Sequence, residues 1–153
     1  MKSKLIWILI LLLLFVSSYY REVLFKSINA IIEGEEFFYA KTTRIDYLTQ
    51  WTRPELLKLK YFLTAFFSIF FILITSYGLK FSFKDKFPFQ ISIITYSIIV
   101  ILAILIGSFG MVLSTFDQVY PTLRLFVGWI HSPIIFLLLS IGSIGYNNIR
   151  SIN

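Results

Sequence analysis

Arg124 and His131 are the side chains best placed to do chemistry. They stand seven residues apart with Gly128 between them, so on a helix they lie within about 20° of one another. A guanidinium and an imidazole on one helical face could bind a phosphate, a carboxylate or a partner's acid. The plainer reading is an arginine that anchors a helix end at a membrane interface beside a kink. Pro133 has no N–H to offer the Trp129 carbonyl, which is the usual origin of such a kink. Asp117 precedes the stripe and could pair with Arg124, although an exposed loop pair stabilises little. His131 is the one histidine and has no second ligand in view, so no metal site is expected. Glu33, Glu35 and Glu36 lack the spacing of an EF-hand loop or a zincin helix and read as a solvated turn around Gly34. The chain has no cysteine, which excludes disulfides, thiol nucleophiles and thiolate metal sites. No catalytic residue and no cofactor is expected.

The elements that must carry these residues are apolar. Of the 153 residues 58% are hydrophobic and 14% charged, too apolar a balance for a soluble domain of this size. The charges are also segregated. Sixteen residues between Lys4 and Arg21 carry none, 19 between Lys60 and Lys80, 30 between Lys86 and Asp117, and 25 between Arg124 and Arg150. About 20 residues of helix cross a ~30 Å hydrocarbon core. The expected fold is therefore all-α: one integral membrane domain over residues 1–153, a bundle of four transmembrane helices at about 5–20, 59–79, 89–113 and 123–144. The first span is short, and its basic start and apolar core also resemble a signal peptide. Without an Ala-x-Ala site it reads as an uncleaved anchor.

The net charge of +6 does not point to nucleic acid. The lysines and arginines flank apolar segments or alternate with acids in one loop, as anchors to lipid headgroups do. That loop, residues 21–58, is amphipathic. Ile45, Leu48 and Trp51 recur at helical spacing, which suggests a short helix on the membrane surface. Thr52-Arg53-Pro54-Glu55 reads as a helix start with capping-box spacing. Tyr120-Pro121 reads as a breaker in the turn before the last span. Trp7, Tyr19, Tyr61, Tyr77, Tyr120, Trp129 and Tyr146 fall near proposed span ends, as in interfacial belts.

No Asp, Glu, Lys or Arg falls in the middle of a proposed span. This weighs against proton-coupled transport and carboxylate-based intramembrane catalysis. The remaining candidates are binding or packing surfaces. Ala103, Gly107 and Gly110 in the third span, and Gly142 and Gly145 in the fourth, have the small-residue spacing that lets helix backbones approach. Phe37, Phe38, Tyr39 and Trp51 could form an aromatic cap for a partner or press into headgroups. The expected partners are membrane lipids and either a polytopic membrane protein or a second copy. Four spans put both termini on one side. The dense Lys80–Lys86 turn places that side in the cytoplasm, although the long loop holds slightly more basic residues in total.

Three features carry a family resemblance: Leu59-Lys60-Tyr61-Phe62-Leu63-Thr64 leading a Phe/Ile-rich span, the arginine-led last span from Tyr120-Pro121-Thr122-Leu123-Arg124 to Ser132-Pro133-Ile134-Ile135-Phe136, and the aromatic loop after the first helix. In these the chain resembles small exosortase-associated membrane proteins of the flavobacterial type, in exosortase F or exosortase X systems. The resemblance implies a bacterial inner-membrane location. It also implies a non-enzymatic accessory role beside an exosortase-like membrane enzyme that processes anchored surface proteins. That enzyme needs a cysteine, which this chain lacks. Two other readings remain at this point: a small transporter or channel component, and a lipid-active interfacial enzyme using Arg124 and His131.

Overall fold

A computed structural model describes residues 2–34, 45–83 and 85–150. Among these there is no strand. Five α-helices run Lys2–Glu33 (α1), Arg53–Phe83 (α2), Lys86–Val112 (α3), Phe116–Ile130 (α4) and Ile134–Arg150 (α5), with a 3-10 helix at Asp46–Gln50. α1, α2 and α3 are each long and apolar enough to cross a membrane. α4 and α5 make a fourth crossing when the bent pair is counted as one span.

α1 does not stop at Tyr20 as the charge pattern suggested. It continues to Glu33 because the charged residues that follow are good helix formers and find helical partners. Glu22 and Lys26 pair at 2.7 Å, one turn apart. The Arg21 guanidinium lies over the Phe25 ring at 4.7 Å. The helix ends where Gly34 takes a positive φ of 68° and donates to the Ile31 carbonyl at 3.4 Å.

α2 packs antiparallel against α1. The Lys60 ammonium donates to Asn29 Oδ1 at 2.8 Å near one end of this hairpin, and Gly78 meets Ile10 near the other. The 3-10 helix lays Leu48 against Ile28 and Leu56, with Ile45 and Trp51 around them. It packs on the hairpin end rather than lying as a separate amphipathic helix on a membrane surface. Trp51 is part of this cluster and half-buried, with its ring 5.8 Å from Tyr47. At the start of α2, Glu55 Oε2 accepts from both the backbone N–H and the hydroxyl of Thr52, each at 2.8 Å. This is the return half of a capping box, and Pro54 sits in the first turn where its missing N–H costs nothing.

Asp85 caps α3 by accepting from the Phe87 N–H at 3.1 Å, with Pro88 buried in the first turn. α3 closes in a Schellman turn. Thr115 N–H donates to the Gly110 carbonyl at 2.9 Å and Ser114 N–H to Met111 at 3.2 Å. Ser114 takes the left-handed conformation there, with φ 55°. Tyr120-Pro121 does not break the chain. Pro121 lies inside α4, within its first two turns, where only the Asp117 carbonyl goes without a helical donor.

Two clusters make up the core of the bundle. Leu14, Phe71, Leu79 and Phe136 join α1, α2 and α5, and Tyr96, Ile130 and Ile135 join α3 to the last span. Between α2 and α3 the buried Tyr96 hydroxyl donates to Thr75 Oγ1 at 3.0 Å, and the Ser92 and Ser76 hydroxyls lie 2.9 Å apart. Trp7 faces inward rather than joining an interfacial belt. Its indole N–H donates to Ser140 Oγ at 2.9 Å.

Candidate functional site

The last span is built around a break. α4 ends at Ile130 and α5 begins at Ile134, with 55° between them. The local sequence explains it. Ser132 Oγ accepts from the Ile134 N–H at 3.2 Å, and Pro133 occupies the first-turn position that suits it. Ser132-Pro133 is thus a helix start as well as a stop. The Trp129 carbonyl, which a simple proline kink would leave bare, accepts from the Ser132 N–H at 3.1 Å, and the Val127 carbonyl accepts from the His131 N–H at 3.1 Å.

The break sets His131 into the bundle. Its side chain is 1% exposed and lies against the rings of Phe67 and Phe71, at 6.4 and 5.8 Å. Its Nε2 is 2.8 Å from Ser68 Oγ, and Ser68 is the central residue of α2. The Ser68 hydroxyl also reaches the Thr64 carbonyl at 2.8 Å. A serine has one proton. With that proton on the carbonyl, His131 donates from Nε2, and Nδ1 remains a buried acceptor without a partner. A serine activated as a nucleophile would instead have to donate to the imidazole. The local pattern therefore describes a fastening between α2 and the broken span, with His131 buried and Ser68 half-buried.

Two arginines stand near this fastening. The register set by Asn29–Lys60 and Ile10–Gly78 puts Arg21 level with Phe67 and Ser68, and its charge is within Coulombic range of both His131 and Arg124. Arg21 Nε is buried and meets no acceptor. By this register Arg21 stands about 10 Å along α2 from Lys60, inside the stretch that its charge-free residues mark as apolar. The expectation that no span carries a charged side chain in its interior is corrected by this, because α1 is longer than the run of apolar residues that announced it. Arg124 is exposed on α4 and lies in a shallow groove of about 370 Å³ with Tyr120, Pro121, Leu125, Gly128 and Trp129. Lys26–Glu22 is the ion pair found among the described residues, so Asp117 and Arg124 do not pair.

The residues singled out by spacing therefore separate. Arg124 and Gly128 face outward from α4, and His131 faces inward at its end. Gly107 packs internally: a Cβ on it would touch the Leu123 methyls at 3.6 and 3.7 Å. Gly110 is buried, Ala103 is half-buried, and Gly110 anchors the Schellman turn. Gly142 and Gly145 lie on the exposed side of α5, while Ser140 and Ser143 are buried on its other side. Phe37, Phe38 and Tyr39 lie outside the described residues. Sequence spacing also missed Gly78, which is packed more tightly than Gly107, and Ser68, the partner of His131. Neither has a local signature. No cluster of three or more metal-ligating side chains occurs among the described residues.

No protein-family model matches the chain, and neither a curated protein nor a solved structure gives a significant match to it.

Proposed function

We propose that the chain is a non-catalytic membrane subunit that docks another polytopic membrane protein along the outer face of its broken last span. One observation carries this reading. Inside the chain, glycine serves close packing: Gly78 receives Ile10 and Phe136, and Gly107 receives Leu123. Gly128, Gly142 and Gly145 offer the same bare backbone, yet nothing lies within 4 Å of the position a Cβ would take. In lipid, which provides no hydrophobic drive between helices, such faces favour close approach of a second helix. Arg124, one turn before Gly128 and without a carboxylate partner among the described residues, adds a polar anchor for an acidic group on the partner. The enclosure of His131 supports a binding role over interfacial catalysis.

The resemblance of the Leu59–Thr64 and Tyr120–Phe136 segments supports an exosortase-like enzyme as the first partner to test, in a bacterial inner membrane. A cytoplasmic position for both termini draws support from the basic end of the bundle. There Lys4 and Ile144 share a groove with Phe83, and Tyr146 stacks on Phe87 at 4.1 Å, close to Lys80 and Lys86.

The test is site-specific photocrosslinking in native membranes. A crosslinker at position 142 or 145 should give a discrete adduct with one membrane protein, and one at the inward position 143 should not. Equal labelling from all three positions, or labelling of lipid alone, would overturn the proposal.

A further inference from the structure

At the end of the bundle where α1 starts and α2 stops, Lys4, Trp7, Ile8, Ser82, Phe83 and Ile144 line a groove of about 530 Å³. This is within the range of pockets that hold small ligands. Among the described lining residues, Lys4 and Ser82 bring a charge and a hydroxyl to otherwise largely apolar walls. The buried hydroxyls elsewhere in the bundle are satisfied. Ser140 and Ser143 donate to carbonyls one turn back at 2.7 Å, and Thr75, Ser76 and Ser92 bond between helices. Ser82 is 8% exposed, and its Oγ is the one buried hydroxyl among the described residues that has no partner. An unmet buried hydroxyl is costly, so an acceptor brought from outside the chain would be favoured there.

Charge and depth identify the class of that acceptor. Among the described residues no acidic side chain lines the groove, and Lys4 stands in it as an exposed cation. Lys80, two residues before Ser82, closes the charge-free stretch of α2 and so marks the level where headgroups meet hydrocarbon. At and beyond that level stand Lys4, Phe83 and Ile144, while Trp7 and Ile8 lead from it toward Ile10 and the interior of the bundle, an apolar surface for the start of an acyl chain. We propose that this groove binds one anionic phospholipid. Its phosphate lies against the Lys4 ammonium, a phosphate or ester oxygen accepts from Ser82, and an acyl chain lies along the apolar wall. The site is at the opposite end of the bundle from Arg124, and Ile144 stands about 100° around α5 from its neighbour Gly145, so the groove and the docking face are on different sides of that helix.

The test uses the full chain, purified in mild detergent and offered equal amounts of phosphatidylglycerol and phosphatidylcholine, with retained lipid read by native mass spectrometry. The wild type should keep phosphatidylglycerol several-fold over phosphatidylcholine. Lys4→Gln and Ser82→Val should each bring that preference close to one. Ile144→Trp, which fills the groove, should abolish retention while circular dichroism still reports a folded helical protein. Equal retention of the two lipids by the wild type would overturn the proposal, as would a preference unchanged in Lys4→Gln and Ile144→Trp. Displacement of the lipid by millimolar inorganic phosphate would also overturn it, since the apolar wall would then contribute nothing. So would a crosslinker at position 144 that labels a protein instead of lipid.

Discussion

Gly78 and Ile10 touch so closely that a Cβ built on the glycine would stand 2.8 Å from Ile10 Cγ2 and 3.3 Å from Phe136 Cε2. Three helices meet at this point, since Ile10 belongs to α1, Gly78 to α2 and Phe136 to α5. The 2.8 Å separation is shorter than side-chain packing tolerates, so any added atom must displace a neighbour.

Gly78→Ala should therefore destabilise the bundle by about 1–3 kcal/mol, through overpacking rather than lost burial. Detergent-titration unfolding of Gly78→Ala, Ile10→Ala and the double variant gives the measurement. The double variant should be more stable than the sum of the two single losses predicts, because truncating Ile10 makes room. Strict additivity would show that the contact is not the cause.

Tyr96→Phe removes only the hydroxyl that donates to Thr75 Oγ1 at 3.0 Å. Interhelical hydrogen bonds in membranes contribute on average about 0.6 kcal/mol, with a maximum near ~1.7. The loss should fall in that interval, and the coupling to Thr75→Val should account for most of it. Tyr96→Ala should cost about 3–5 kcal/mol, since it also empties a fully buried site between α2 and α3.

Ser114→Gly should stabilise the protein. Ser114 holds φ at 55° in the Schellman turn after α3, and the left-handed region costs an L-residue roughly 1–2 kcal/mol that glycine does not incur. The gain should be about 1 kcal/mol in the same unfolding assay, with Ser114→Val worse than the wild type.

His131→Ala should lower stability by about 2–4 kcal/mol, the range for emptying a large buried site. Ser68→Ala should cost less, because it removes one hydroxyl and little volume. If the pair fastens α2 to the break, both variants should loosen α4 and α5 first. Hydrogen exchange of residues 127–137 should rise before that of α1 and α2. Uniform exchange across the bundle would remove the fastening role.

The parts of the fold that local chemistry governs were readable in advance. The four uncharged runs, the Thr52–Glu55 helix start and the turn at Gly34 all follow from spacing and residue type. The end of α1 was not. Arg21, Glu22 and Lys26 interrupt the apolar pattern, but helix formation tolerates charge on a face that pairs with itself, and hydropathy alone cannot register the Glu22–Lys26 pair. Pro121 likewise looked like a boundary, whereas near a helix start its missing N–H leaves only one carbonyl unserved. The candidate site was harder still. The stripe from Arg124 to His131 is exposed at its first residue and buried at its last, because His131 stands where the span breaks and meets Ser68 of α2. Ser68 and His131 are 63 residues apart, and Gly78 is a lone glycine in an unbroken span. Their roles come from how the helices are placed against one another, which periodicity along a single helix does not encode.

The α1–α2 hairpin works in two solvents. Its 31- and 32-residue helices are each about 45 Å long, against roughly 30 Å of hydrocarbon. The end beyond Asn29 and Lys60, with the Ile28–Leu48–Leu56 cluster under its 3-10 cap, falls at the watery margin. That cap holds together because water rejects its apolar side chains, whereas the stretch around Leu14 and Phe71 is surrounded by lipid and relies on close fit alone. Urea and cold weaken the first kind of cohesion and leave the second almost untouched. One pair of helices should therefore fray from its Trp51 end inward while its far end stays closed.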